Sequence, residues 1–451
     1  MHDLIAGTDL DAPIAWRHGA PIARRRYLAD VHALAARLPD GGVMLNLSGD
    51  RYRFAVGLGA AMLRGQGNLM PPNHQAETVA RLRSLFPRAY ALVDRDDTEV
   101  DLPRLAYADA PDGTLQATVP ALPRDGLAAH VLTSGSTGQP VPHAKLWGPL
   151  VDCTVAGARR LAEHLGRPDL EGLSLVATVP PQHMYGFEST VLIAMLGGAA
   201  LDAERPFYPA DIAAALARLP RPRMLVTTPF HLRMLLDAGL DLPAVDLVLS
   251  ATAPLSPQLA ARAEAALQGP LIEIYGCTEA GQVATRRTTD GPEWRTYDGL
   301  QLSGDGEQSQ VYGGHVITPT PLADVLEVLD ASRFRLLGRS NDVINIAGKR
   351  NSLAHLNFHL NSIPGVADGA FWLPADEIDG AVTRLVAFVV APDLPPESMQ
   401  AAVLAHLRPR VDPVFLPRRI VAVPALPREP STGKLPAIAF GDWAQRTLAA
   451  R

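Results

Sequence analysis

Between residues 128 and 275 the chain repeats one unit: a short apolar run, a turn, then a longer segment of helical character. The apolar runs fall at 128–133, 175–179, 224–228, 245–250 and 271–275, and each reads as a strand. Helical segments separate them. The segment 187–201 reads as mostly helical, a second helix opens at Pro229, and a third has Ser256 as N-cap with Pro257 at its first position. Strands alternating with helices specify a parallel sheet with helices on both faces. Ligands of such sheets sit beyond the carboxyl ends of the strands.

On either side the pattern changes. Residues 1–125 read as mixed α/β, with strands at 42–47 and 89–94, a helix at 53–64 and a Pro/Gly/Asp-rich linker at 109–125. From 300 to 338 the chain breaks into short strands at 311–318, 324–329 and 334–337. A smaller α/β region follows, with a helix near 353–363 and a strand at 385–390. At 451 residues the chain exceeds what one compact core organises, so two or more domains are expected. An apolar content of 47% with 20% charged residues is that of an ordinary globular protein. The net charge of -6 gives no basic surface for nucleic acid. Cys153 and Cys277 are the two cysteines, and without CxxC spacing they indicate neither a disulfide framework nor a zinc site. The N-terminus lacks a basic segment followed by an apolar core, and the apolar stretch 191–201 is too short to span a bilayer. A cytoplasmic protein without integral membrane association is the expectation.

The first central strand runs into Thr133-Ser134-Gly135-Ser136-Thr137-Gly138, four hydroxyls and two glycines in six residues. Glycines let the backbone approach an anion and present its N–H groups, so the composition is that of a phosphate-binding loop. It is not a Walker A loop, and the Rossmann fingerprint fails as well, because Gly57-Leu58-Gly59 has Met62 where the third glycine belongs.

This loop resembles the signature of the adenylate-forming superfamily: acyl-CoA synthetases, luciferases and the adenylation domains of peptide synthetases. Later segments resemble that family's further motifs, in order. They are Val179-Pro180-Pro181-Gln182-His183-Met184-Tyr185-Gly186, Ser250-Ala251-Thr252-Ala253-Pro254-Leu255 and Tyr275-Gly276-Cys277-Thr278-Glu279. Asp324 follows, fifteen residues before Arg339, then Gly348-Lys349-Arg350 and Pro430-Ser431-Thr432-Gly433-Lys434. The resemblance implies a large N-terminal adenylation domain (1–338) with stacked mixed sheets and a small β-barrel-like part. A hinge (339–342, with Asn341 or Asp342 as pivot) would lead to a small mobile α+β C-terminal domain (343–451).

It also implies ATP and Mg2+. A carboxylate attacks the α-phosphate, pyrophosphate leaves, and a thiol then takes the acyl group from AMP. An anion approaching a polyanion needs positive charge and preorganised donors. By the resemblance Lys434 bridges carboxylate and α-phosphate, Thr278 donates to the α-phosphate, and Glu279 holds Mg2+. Asp324 would accept from both ribose hydroxyls. Arg339 and Arg350 would reach ribose or phosphate, Ala251, Thr252, Ala253 and Pro254 would lie on the adenine, and Gly276 belongs to the same AMP-binding turn. Tyr275 either stacks on adenine or packs in the sheet. His183 orients the carboxylate, gates the thiol tunnel, or is a core histidine. His183, Tyr185, Phe230 and Cys277 are the expected substrate-side residues, and Cys277 fills a variable motif position without the companions of a nucleophile. The family's loop lysine is Val141 here, leaving Lys145, shifted along the chain, as the candidate for the β/γ-phosphates.

Within the superfamily, the short N-terminal region and the TSGSTGQPVPHAK loop resemble the aryl-acid:acyl carrier protein ligases of aryl polyene and xanthomonadin-type pigment clusters, which activate hydroxybenzoates such as 3-hydroxybenzoate. The partners implied are a small aryl acid and an acyl carrier protein, with Arg408, Arg410, Arg418 and Arg419 as a basic face for the latter. Coenzyme A as acceptor is the alternative, and a non-catalytic nucleotide- or acyl-adenylate-binding protein is a second.

Overall fold

The computed structural model describes residues 1–95, 97–134, 140–304, 308–339, 343–346, 349–374, 384–392, 394–428 and 435–450. Its spine is an eleven-stranded mixed sheet. At the centre Ser174–Ala177, Arg223–Thr227, Leu247–Ser250 and Leu271–Cys277 run parallel. The sheet continues antiparallel from Leu271–Cys277 into Gly281–Arg287 and onward to Glu293–Thr296. Sequence periodicity anticipates the parallel centre. The antiparallel extension arises because a three-residue turn after Cys277 leaves no room for a crossover helix, so the chain can only fold back on itself.

Successive residues of a strand face opposite sides, and the cores follow that rule. Leu175, Ala177, Met224, Val226, Leu247 and Leu249 enter one core, whereas Val176, Leu225 and Val248 enter another. The second core is covered by the helices Pro209–Arg218, Pro229–Asp237 and Pro257–Leu267. The first is shared with a six-stranded sheet, which contributes Met44, Met70, Leu92 and Val131, and with the helices Arg51–Leu63 and Trp147–Leu165. Two stacked sheets around a common core form the large N-terminal domain. Ser256 Oγ accepts the Leu259 N–H at 3.2 Å, the cap its sequence predicts.

Two expected elements are broken by glycine pairs. The helix expected over 187–201 stops at Leu196, and Ala200–Asp202 is a strand. Gly197 and Gly198 end it, the latter at φ +91. The strand expected over 311–318 is two, Ser309–Gly313 and Val316–Leu322, because Gly313 and Gly314 take φ +81 and +51 in a turn. With Leu300–Gly304 they form a three-stranded antiparallel sheet where a barrel-like part is expected.

Beyond 343 a small C-terminal domain forms around its own cores. Its three-stranded sheet, Asp368–Trp372, Val386–Val390 and Arg419–Ala422, is covered by Leu353–Leu360, Pro396–Leu407 and Ala437–Ala449. The first of these helices ends at Leu360, three residues before the expected Ile363. Across the two domains Arg233 meets Asp368 at 3.9 Å. No described helix is long and apolar enough to cross a membrane.

Candidate active site

Three of the motif segments and Phe230 leave the carboxyl ends of four neighbouring parallel strands. His183 follows Ser174–Ala177, Phe230 follows Arg223–Thr227, Ala251 to Pro254 follow Leu247–Ser250, and Thr278 and Glu279 follow Leu271–Cys277. Topology alone therefore gathers residues nearly a hundred positions apart along one edge, where parallel sheets bind ligands.

The Thr278–Glu279 turn is held from below. Gly276 permits the tight hairpin, since a Cβ there would collide with the Gly281 carbonyl oxygen. Lys145 donates from Nζ to the Thr278 carbonyl and, at 3.1 Å, to the Glu279 carbonyl. Lys145 lies on the strand Pro140–Leu146 opposite Ala129, four positions past Val141, which pairs with Thr133. Four strand residues span roughly 13 Å, and the ammonium donates to the turn's carbonyls. The structure thus gives Lys145 a partner other than the expected β/γ-phosphates. Glu279 itself is exposed, with its carboxylate 3.7 Å from His143 Nε2. An accessible carboxylate at a rigid turn suits a hard cation such as Mg2+.

Behind the turn, Tyr275 donates its hydroxyl to Asp324 Oδ2 at 2.9 Å. Its ring is buried against Trp294 and Phe334, with centroids 5.8 and 5.5 Å away. Of the two expectations for Tyr275, packing in the sheet matches this placement, and its hydroxyl fixes one oxygen of the candidate ribose-binding carboxylate. Asp324 pairs across the sheet with Arg339.

His183 is exposed rather than a core residue. Its loop turns tightly at Gly186, where a Cβ would collide with the Pro180 carbonyl oxygen. Tyr185 does not present its hydroxyl to the cavity; it donates to the Thr227 and Leu249 carbonyls at 3.1 and 2.9 Å, tying together the ends of two strands. Arg51, 1% exposed, performs a similar task with the carbonyls of Ala177 and Val179 at 3.0 and 2.9 Å. Phe230 is half-buried beside His231, and Ala251 is buried. Thr252, exposed, takes φ +78, a conformation a β-branched residue rarely adopts. Burial lifts the Cys277 thiol to about 11, so it is not a thiolate at neutral pH. Gly135, Ser136, Thr137, Gly138, Asn341, Asp342 and Lys434 lie outside the described residues, as do the side chains of Thr133, Ser134, Arg339 and Arg350.

A cavity of about 230 Å³ opens beside the turn, its wall including Lys145, Leu150, Met184, Glu188, Glu279 and His315. Its inner end carries the group sequence reasoning missed. Glu188, 3% exposed, stands on a π-helical segment, Phe187–Leu192. Cys153 Sγ donates to Glu188 Oε1 at 3.5 Å, and the Gln282 backbone also hydrogen-bonds the carboxylate. Desolvation pushes the Glu188 carboxyl up to about 7 even though the Lys145 charge pulls it down. Burial likewise holds His315 down at about 4, neutral at physiological pH. The one sequence signal for Glu188 is a charge inside the apolar run FESTVLIAML.

The sequence pattern of the AMP-binding enzymes matches residues 42–334, more than half of the chain, and that of the AMP-binding enzyme C-terminal domain matches residues 359–434. The chain belongs to the AMP-binding enzyme family. These are adenylate-forming acid–thiol ligases that work with ATP and Mg2+. A 4-coumarate–CoA ligase of Rhodobacter capsulatus is 31% identical over 280 residues, 62% of this chain and 66% of that one. A 4-coumarate–CoA ligase of Halorhodospira halophila is 30% identical over 315 residues, 67% of this chain and 73% of that one. The fold of apo MatB from Rhodopseudomonas palustris superposes with a TM-score of 0.77 at 16% identity, covering 98% of this chain and 97% of that one. As in other AMP-binding enzymes, a large N-terminal domain carries the strand-end motifs and a small C-terminal domain follows.

Proposed function

We propose that this AMP-binding enzyme activates a small aryl carboxylic acid as its acyl-AMP, with release of pyrophosphate, and passes the acyl group to a phosphopantetheine thiol. The observation that carries the reading is the gathering of His183, Ala251 to Pro254 and the Thr278–Glu279 turn at adjacent strand ends, with a small cavity beside the turn. ATP bound with Mg2+ supplies the activated phosphorus. The chain's own residues then orient and neutralise. Glu279 holds the metal, Thr278 donates to the α-phosphate, Asp324, set by Tyr275, takes the ribose hydroxyls, and Arg339 and Arg350 reach ribose or phosphate. The loop from Thr133 to Gly138 cradles phosphate, the segment from Ala251 to Pro254 receives the adenine, and His183 faces the acid's carboxylate. Lys434, delivered by a C-terminal domain (343–451) turning on a hinge at 339–342, bridges carboxylate and α-phosphate. An aryl acid is supported by the small cavity, narrower than the roughly 300–1,000 Å³ typical of drug-sized ligands, and by relatives named for 4-coumarate.

For the acceptor, an acyl carrier protein of the pigment-pathway type is supported by the exposed Arg408, Arg410, Arg418 and Arg419 of the C-terminal domain, which suit an acidic partner. Coenzyme A is the second reading, favoured by the names of the relatives. Mass analysis of the products from 3-hydroxybenzoate, ATP and Mg2+, with holo-carrier protein or coenzyme A as acceptor, tests both halves. The expected products are hydroxybenzoyl-AMP and then the carrier thioester. A coenzyme A thioester alone replaces the acceptor, and no acyl-AMP from any aryl acid removes the substrate class.

A further inference from the structure

The inner end of the cavity poses a question that adenylation chemistry leaves open. A carboxyl group that is 3% exposed sits in the wall of a chamber of mixed lining, 2.8 Å from where a Cβ of residue 281 would stand, and residue 281 is glycine. Leu150, Met184 and Val316 give the wall apolar surface, and Lys145, His315 and Thr318 give it polar surface. Burying a carboxyl without full compensation is unfavourable, and an apolar or amide side chain would be cheaper for packing alone. The Cys153 thiol, a weak donor, and one backbone hydrogen bond leave acceptor capacity on a carboxylate with about four lone-pair sites.

Resting on the reading that the acid occupies this cavity beside the Thr278–Glu279 turn, we propose that Glu188 is a specificity-determining residue that accepts a hydrogen bond from a hydroxyl on the acid's ring. The neighbouring charge decides which donor fits. Lys145 lies close enough to act on Glu188 electrostatically, so the carboxylate already has a cation, and a second one on the ligand would be repelled. A neutral hydroxyl carries no such penalty. The acid's carboxylate faces the turn and its hydroxyl faces Glu188. A long acyl chain would press methylenes against a buried carboxyl and is disfavoured.

The test is ATP–pyrophosphate exchange with benzoate, 3- and 4-hydroxybenzoate and their methoxy counterparts, using the full chain as wild type, Glu188→Gln and Glu188→Leu. A methoxy group accepts but does not donate. The wild type is expected to favour a hydroxybenzoate over benzoate and over its methoxy counterpart by at least about tenfold in kcat/KM, because a site built around a polar partner rejects the analogue lacking it. Glu188→Gln keeps part of that ratio and Glu188→Leu brings it near one. Equal use of benzoate, methoxy- and hydroxybenzoates by the wild type overturns the inference, as does an unchanged ratio in Glu188→Leu. Should either variant fail to fold, the wild-type ratio decides alone. Exchange with fatty or amino acids and none of the benzoates also overturns it. No exchange with any acid is a different failure, that of the adenylation reading on which it rests.

Discussion

At the Thr278–Glu279 end of the cavity the backbone sets the geometry. Gly276 lets the hairpin close, Lys145 pins two carbonyls, and the candidate metal-binding side chain, Glu279, projects into solvent. At the Glu188 end it is the side chain that is locked, buried beside Cys153 and held by a helix wound one residue wide of α. The outer end resembles what any enzyme handling a nucleotide polyanion requires, a rigid frame with an exposed charge. The inner end is a private environment whose chemistry depends on which residue happens to be there. Shared chemistry sits on constrained backbone, and selectivity sits on a buried side chain that could be exchanged without touching that frame.

Four substitutions sharpen or break this contrast. Glu279→Gln removes an exposed charge from a rigid turn, so exchange should fall on the order of 10²–10³ while the melting temperature is unchanged; a fall in melting temperature would mean the carboxylate also supports the fold. Gly276→Ala puts a methyl against the Gly281 carbonyl, a backbone collision expected to remove about 1–3 kcal/mol of stability, read by denaturant midpoint. An unperturbed midpoint would show that the hairpin yields and that the frame is softer than described.

Glu188→Gln behaves in the opposite sense. Burial holds the Glu188 carboxyl at about 7 against an ordinary value of 4.5, so the native state binds its proton more tightly than the unfolded chain. Stability contributed by that proton is present below about 4.5 and is lost as pH rises to about 7. The variant should therefore be more stable than wild type by about 3 kcal/mol at pH 8, with the difference fading toward pH 4. A pH-independent difference would contradict a desolvated carboxyl at this position. The smallest effect is expected at Thr252→Gly, which relieves a φ of +78 and should be neutral or stabilising by up to about 1 kcal/mol in thermal melts. Clear destabilisation there would show that the threonine's contacts outweigh its strain.

The contrast also explains what could be read from residues alone. The parallel centre was legible because 175–179, 224–228, 245–250 and 271–275 are apolar runs separated by helices, and the Ser256 cap because its signal is local. The Thr278–Glu279 turn was legible as a turn because Tyr275-Gly276-Cys277-Thr278-Glu279 closes an apolar strand with a glycine and resembles a family motif. Helix 187–201 was overrun because Gly197-Gly198 breaks it in a stretch that remains apolar on both sides. Lys145 read as a phosphate ligand because strand pairing, not spacing, places it under residues 278 and 279. Tyr185 looked like a pocket residue because nothing in the sequence reports that two strand carbonyls take its hydroxyl. Glu188 escaped because its partners, Cys153 and Gln282, lie 35 and 94 residues away in the chain.

The adenylation claim is tested most directly by Mg2+-dependent ATP–pyrophosphate exchange with the hydroxybenzoate panel, run on the wild type and on Lys434→Ala. Exchange above background with at least one small aryl acid, abolished in Lys434→Ala while that variant still transfers acyl groups from a supplied acyl-AMP, is the predicted result. ATP binding without exchange for any acid would contradict it and would leave a nucleotide- or acyl-adenylate-binding protein in place of a ligase.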